Sequence, residues 1–194
     1  MATGFERVRA SVTWKGMDMR RMRYNVAMSL DGYIADSHGG FDWILNDDTV
    51  DFAGLFARVN TYVLGRRTYE TVLANGEPPW QPGTRVYVVS RTLSPEGHAG
   101  INVVRDDPIE LARSLRNQPG DGEIWLFGGG ELFAGLLAAH QVDTVEVTVV
   151  PVLLGSGVPV VASLPVRAPL TLTHSHVYPS GMVALHYSVD SADD

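Results

Sequence analysis

The sequence predicts an α/β fold: a three-layer α/β/α sandwich around a mixed, mostly parallel sheet that closes with a C-terminal antiparallel hairpin. Three observations carry this. From Arg23 onward, short apolar β-rich runs alternate with amphipathic helical ones, the pattern of helices packed on a sheet. A strand-like run over 123–127 passes through Gly128-Gly129-Gly130 straight into a helical segment. Two long β-rich runs split by Pro179-Ser180-Gly181 end the chain as a hairpin, which makes the sheet mixed.

Taken in order, strands are predicted near 24–29, 62–65, 85–90, 102–105, 123–127, 144–149, 170–178 and 182–189. Phe52, Leu55, Phe56 and Val59 follow the i, i+3, i+4, i+7 rule of one helical face, and Leu132, Phe133, Leu136 and Leu137 make a second apolar stripe. Asp107-Pro108-Ile109-Glu110 reads as a helix start, with an acidic N-cap, Pro at the first helical position and Glu at the third.

With 194 residues and 45% hydrophobic content, the chain is expected to form one domain over 22–190, preceded by a flexible leader (1–21) and followed by a short tail (191–194). The one basic cluster, Arg20, Arg21 and Arg23, preceded by Arg7, Arg9 and Lys15, is read as part of a solvated leader. A net charge of −7 argues against nucleic acid and anionic membrane surfaces as partners. The longest apolar stretch, 149–164, is broken by Pro151, Gly155, Gly157 and Pro159 and does not make a spanning helix. The absence of cysteine excludes disulfides and thiolate zinc sites and fits a reducing cytoplasm.

Three strand ends carry anion-binding chemistry. Gly128, Gly129 and Gly130 let the backbone approach a ligand closely, and the helix that follows offers free N–H groups and the positive end of its dipole; a tight turn is the competing use of the same glycines. The strand at 62–65 ends in Gly65-Arg66-Arg67-Thr68, and another ends in Ser90-Arg91, placing guanidiniums and hydroxyls at the edge where open α/β sheets bind ligands. Two phosphate-sized sites with an additional cationic spot point to NADPH rather than NADH as cofactor.

These segments, in this order, resemble the dihydrofolate reductase superfamily, in particular its branch related to the C-terminal reductase domain of riboflavin biosynthesis proteins. The residues carrying the resemblance are Val26-Ala27-Met28-Ser29-Leu30-Asp31-Gly32-Tyr33-Ile34-Ala35, Leu64-Gly65-Arg66-Arg67-Thr68-Tyr69-Glu70, Val88-Val89-Ser90-Arg91, Phe127-Gly128-Gly129-Gly130-Glu131-Leu132-Phe133 and Pro151-Val152-Leu153-Leu154-Gly155. The resemblance implies a homodimer with NADPH across the carboxyl edge of the sheet. Ala27 and Ile34 would flank the nicotinamide, Gly65, Arg66, Arg67 and Thr68 would take phosphates, and Ser90 and Arg91, helped by Arg105, would meet the adenosine 2′-phosphate. Gly128, Gly129, Gly130, Glu131 and Leu132 would hold the pyrophosphate, with Asp31 and Phe133 near a small-molecule substrate. The activity implied is reduction of a heterocycle such as 5-amino-6-(5-phosphoribosylamino)uracil. A dihydrofolate reductase and a non-catalytic nucleotide-binding module are the alternatives.

By the same resemblance the proton for such a reduction falls to Asp51, backed by Thr148 on a later strand. Asp51 shares a helical stripe with Leu55, which would turn it toward the cleft; capping of the helix start, with Asp47 and Asp48, is its other use. Folate reductases carry a Pro-Gly-Arg turn, whereas here Pro82-Gly83-Thr84 puts Arg85 one place late, where strand alternation aims it elsewhere. His174 and His176 share a strand face with Leu170 and Leu172 and read as rim histidines rather than metal ligands. Trp80 is either a pocket roof or a loop anchor.

Overall fold

The computed structural model describes residues 19–190 except Glu77 and Val166. The leader residues Arg7, Arg9 and Lys15 and the tail lie outside the described residues. The strands are β1 (Met22–Ser29), β2 (Tyr33–Ala35), β3 (Val59–Gly65), β4 (Arg85–Val89), β5 (Ile101–Val104), β6 (Glu123–Gly128), β7 (Thr144–Val150), β8 (Val158–Pro159), β9 (Leu170–Val177) and β10 (Val183–Val189). The helices are α1 (Phe52–Ala57), α2 (Arg66–Ala74), α3 (Pro108–Arg116) and α4 (Gly130–Ala138). Eight strands form one sheet in the order β5-β4-β3-β6-β1-β7-β10-β9. Pairing is parallel from β5 through β7, and β10 and β9 add the expected antiparallel hairpin.

Alternation along the strands divides the molecule into layers. Met22, Tyr24, Ile124, Leu126, Val145 and Val147 face α3 and α4, where Ala112, Leu115, Phe133 and Leu136 complete one core. Tyr62, Leu64, Val86, Val88 and Trp125 face the other way, toward Tyr69 of α2 and Leu55 and Phe56 of α1. The start of α3 is as the sequence predicts: Asp107 accepts a hydrogen bond from Ile109 N at 2.8 Å, with Pro108 at the first helical position. The stripe proposed for α1 runs too long. The helix ends at Ala57, and Val59 is already the first, buried residue of β3.

Two short elements have no counterpart in the sequence reading. β2 and β8 pair as a separate two-stranded sheet over the end of β1. They are fastened by Val160 N donating to Gly32 O at 2.9 Å and by the Tyr24 hydroxyl donating to Val160 O at 2.9 Å. The leader boundary also shifts. Arg20 is buried, donates from Nε to Gly122 O at 2.8 Å and from Nη2 to Thr61 Oγ1 at 2.9 Å, and also binds Asn60. Arg20, 3% exposed with three partners, and Arg23, 1% exposed and paired with Glu123 and Glu146, are parts of the folded body, not solvated leader charges.

Candidate active site

A cleft of about 2080 Å³ runs along the carboxyl edge of the sheet on the α1/α2 side. Its phosphate end is built by two helix starts. The N-caps of α2 and α4 are Gly65 and Gly129, neither of which supplies a side-chain cap. By contrast, α1 and α3 are capped by the carboxylates of Asp51 and Asp107. The two uncapped starts abut: a Cβ placed on Gly65 would lie 3.8 Å from Gly129 N. First-turn N–H groups without an acceptor among the described residues and two positive dipole ends therefore converge in the cleft, an environment that favours phosphate oxygens. Gly128 has φ +139°, a backbone conformation that disfavours any side chain, and its peptide bond to Gly129 is cis.

Cations complete this end. Arg66, Arg67, Arg91 and Arg105 all line the cleft. Arg66 is held by Glu70 at 2.9 Å, and Arg105 donates to Leu93 O at 3.1 Å. Arg67 and Arg91 are exposed and make no ion pair among the described residues. Ser90 is buried, its Oγ accepting from Leu93 N at 2.9 Å and Thr92 N at 3.2 Å, so it shapes the turn that presents Arg91 and keeps only its hydroxyl hydrogen to offer. Thr68, Glu131 and Leu132 also line the cleft, as do Ala27 and Ile34 farther along. Backbone N–H groups and guanidiniums form a donor set suited to a phosphorylated dinucleotide.

The opposite end is organised by register. Ala27, Thr148 and Ala184 lie side by side across β1, β7 and β10, and Asn25, Glu146 and His186 form the adjacent row. All six line the cleft. Arg23, 1% exposed, lies beneath them, 3.1 Å from both Glu146 and Glu123 and 5.9 Å from the Trp125 ring centroid. Asn25 Nδ2 donates to Glu146 Oε2 at 2.8 Å, while Trp125 Nε1 donates to Asn25 O at 2.9 Å. Burial lowers the pKa of His186, against the opposing effect of the Glu146 carboxylate.

Some sequence-predicted residues stand elsewhere. Phe133 does not meet the cleft; it is buried on the α3/α4 side, stacked on Tyr24 with centroids 3.8 Å apart. Asp31 turns away too, accepting from Ser29 Oγ at 2.7 Å, Gly155 N at 2.7 Å and Leu154 N at 3.1 Å. These bonds clamp the loop at Leu154 and Gly155, and the Ser29 hydrogen bond, with those from the loop amides, lowers the Asp31 pKa. Asp51 does line the cleft, as does Thr148, but Asp51 is exposed and caps α1 through Gly54 N at 2.8 Å. Trp80 packs on Tyr62 and Tyr69 as a loop anchor. Arg85 binds Gln118 and does not line the cleft. His174 and His176 are exposed on the edge strand β9.

The sequence reading missed Glu146, His186 and Asn25. A lone Glu in Thr-Val-Glu-Val-Thr looks like the wet face of an ordinary strand. The available signal was Arg23, a charge at the matching position of another buried strand, which requires a partner.

The fold is that of a dihydrofolate reductase-like α/β domain. The model of the RibD C-terminal domain matches residues 20–184, and the chain belongs to that family. It is 31% identical over 177 residues to the uncharacterized Bacillus subtilis protein YwjB, covering 88% of this chain and 98% of that one. A Shewanella sp. PV-4 crystal structure, provisionally named for riboflavin biosynthesis, superposes with TM-score 0.77 at 30% identity, over 88% of this chain and 99% of that one. A dihydrofolate reductase from Enterococcus faecalis complexed with NADP(H) shares the fold, with TM-score 0.62 at 19% identity over 88% and 97% of the two chains. No helix among the described residues is long and apolar enough to cross a membrane.

Proposed function

We propose that this protein is an NADPH-dependent reductase of a small heterocycle, related to the reductase of riboflavin biosynthesis. The observation that carries the reading is the pair of abutting, uncapped helix starts at Gly65 and Gly129, flanked by the exposed Arg67 and Arg91. Gly65, Thr68, Gly128, Gly129, Gly130, Glu131 and Leu132 would hold the pyrophosphate, and Ser90, Arg91 and Arg105 the 2′-phosphate. Ala27 and Ile34 would orient the nicotinamide, which supplies hydride when bound. Asp51, on the cleft rim beside the apolar side of α1, is the proposed proton donor, with Thr148 on the facing strand. Folate is the weaker substrate, because Arg85 points out of the cleft into a contact with Gln118.

The test has two arms. NADPH should give a saturable thermal shift and bind more tightly than NADH; no saturable response removes the reading. NADPH oxidation is then followed with 5-amino-6-(5-phosphoribosylamino)uracil and with dihydrofolate in wild type and Asp51→Asn. Because Asn caps helices as well as Asp, this substitution removes the proton without removing the cap. It should leave NADPH affinity unchanged and slow turnover by about 10²-fold or more.

A homodimer belongs to the same proposal. Among the described residues β9 pairs on one side only, with β10, and leaves Leu170, Leu172 and Val177 exposed. A long edge strand carrying exposed apolar side chains is a surface that soluble proteins usually cover. Light scattering should give twice the chain mass in wild type and the single-chain mass in Leu172→Lys.

A further inference from the structure

The two rows at the far end of the cleft have different characters. Ala27, Thr148 and Ala184 are small and form a shallow shelf across three strands. Facing into the same cleft from residues 41–52, Phe41, Leu45 and Phe52 are 37%, 42% and 55% exposed. Small side chains and apolar ones lining the same cleft offer the chemistry to take the face of a flat ring. Asn25, Glu146 and His186 then close the end of the shelf.

Arg23 is shared between Glu146 and Glu123, and Arg58, which also lines the cleft, makes no ion pair among the described residues. Of the Glu146 oxygens, Oε2 accepts from Arg23 at 3.1 Å and from Asn25 at 2.8 Å, whereas among the described residues Oε1 has only Arg23 at 3.5 Å, the outer limit of a hydrogen bond. A carboxylate oxygen with unused acceptor capacity, its side chain 11% exposed at this end of the cleft, calls for an N–H donor. The Asn25 side chain donates to the carboxylate, and the Asn25 backbone carbonyl accepts from Trp125 Nε1.

We infer that Glu146 determines substrate class. It accepts an N–H from a flat nitrogen heterocycle carrying an exocyclic amino group or a protonated ring nitrogen, and it repels any ring that presents a carboxylate or phosphate at that edge. This rests on the reading of the cleft as a reductase site only in calling the occupant a substrate.

The probe is 2-aminobenzimidazole, with benzimidazole-2-carboxylate as its anionic counterpart, titrated calorimetrically into the full chain without nucleotide. The amino compound should bind, the carboxylate should not, and Glu146→Gln should weaken the amino compound roughly tenfold or more. Equal affinity in wild type and variant, or no binding of the amino compound to wild type, overturns the inference. A second measurement needs no variant: in wild type, the ring protons of the bound probe should show nuclear Overhauser contacts to the methyl groups of Ala27 and Ala184. Contacts elsewhere overturn the inference. Since no cofactor is present, failure of NADPH to bind would remove the reductase reading and leave this result standing.

Discussion

Arg23→Met is expected to destabilise the fold by about 3–5 kcal/mol, the range for removing one partner of a buried ion pair. For a chain of this size that lowers the melting temperature by roughly 6–20 °C. The reason is the local charge count. Arg23 is 1% exposed and stands between Glu123 and Glu146, each 3.1 Å away. Met fills much of the space of the aliphatic stem, but it leaves two carboxylates facing each other in a poorly solvated site and removes the contact with the Trp125 ring. Glu146→Gln should cost much less, because Arg23 keeps Glu123 and the Gln oxygen still accepts from Asn25. The triple variant Arg23→Met, Glu123→Gln, Glu146→Gln should recover part of the loss. Calorimetric melting of the four proteins checks the order, and an Arg23→Met variant within about 1 kcal/mol of wild type would show that the trio is solvated.

Gly130→Ala carries the second large effect. A Cβ at this position would overlap the Pro159 carbonyl oxygen and press on Ala162 N and Val160 O, both at 3.3 Å. All three are backbone atoms of the segment beginning at β8, and Ala162 N donates to Gly130 O at 3.3 Å. Relief requires moving that segment off α4, a cost of about 1–3 kcal/mol or more for forced overpacking. Gly129→Ala is the contrast, since its Cβ would meet nothing nearer than the Thr68 hydroxyl at 3.5 Å. Urea unfolding should therefore separate the two, with Gly130→Ala clearly destabilised and Gly129→Ala near wild type. The glycine turn thus combines two requirements: Gly130 is needed for packing, while Gly129 leaves the cleft side open.

How far the sequence foretold this varies with the kind of signal. The six parallel strands were legible because their runs rich in β-branched and aromatic residues stand between turn and helix signals, and the hairpin because its turn is marked by Pro179 and Gly181. β2 and β8, three and two residues long, are too short to show a period, and only their tertiary contacts make them strands. The phosphate end was legible because its chemistry is local, carried by residues adjacent in sequence. The other end is assembled from β1, β7 and β10, whose juxtaposition depends on strand order and register, so Asn25, Glu146 and His186 do not look like a group in the sequence. Phe133 was misplaced although its own apolar stripe, shared with Leu136 and Leu137, already assigned it to the core.

The alternation of β1 has a consequence for how this protein can vary. Met22 and Tyr24 belong to one core, while Arg23, Asn25 and Ala27, interleaved with them, supply the keystone charge and the cleft floor. Inserting or deleting one residue here would exchange the two sets, so core and site would be lost together. Single replacements at positions 25 and 27 have no such effect. The strand's length is therefore constrained, while its cleft-facing positions can be exchanged one at a time, and new substrate preferences could arise there without disturbing the core behind them.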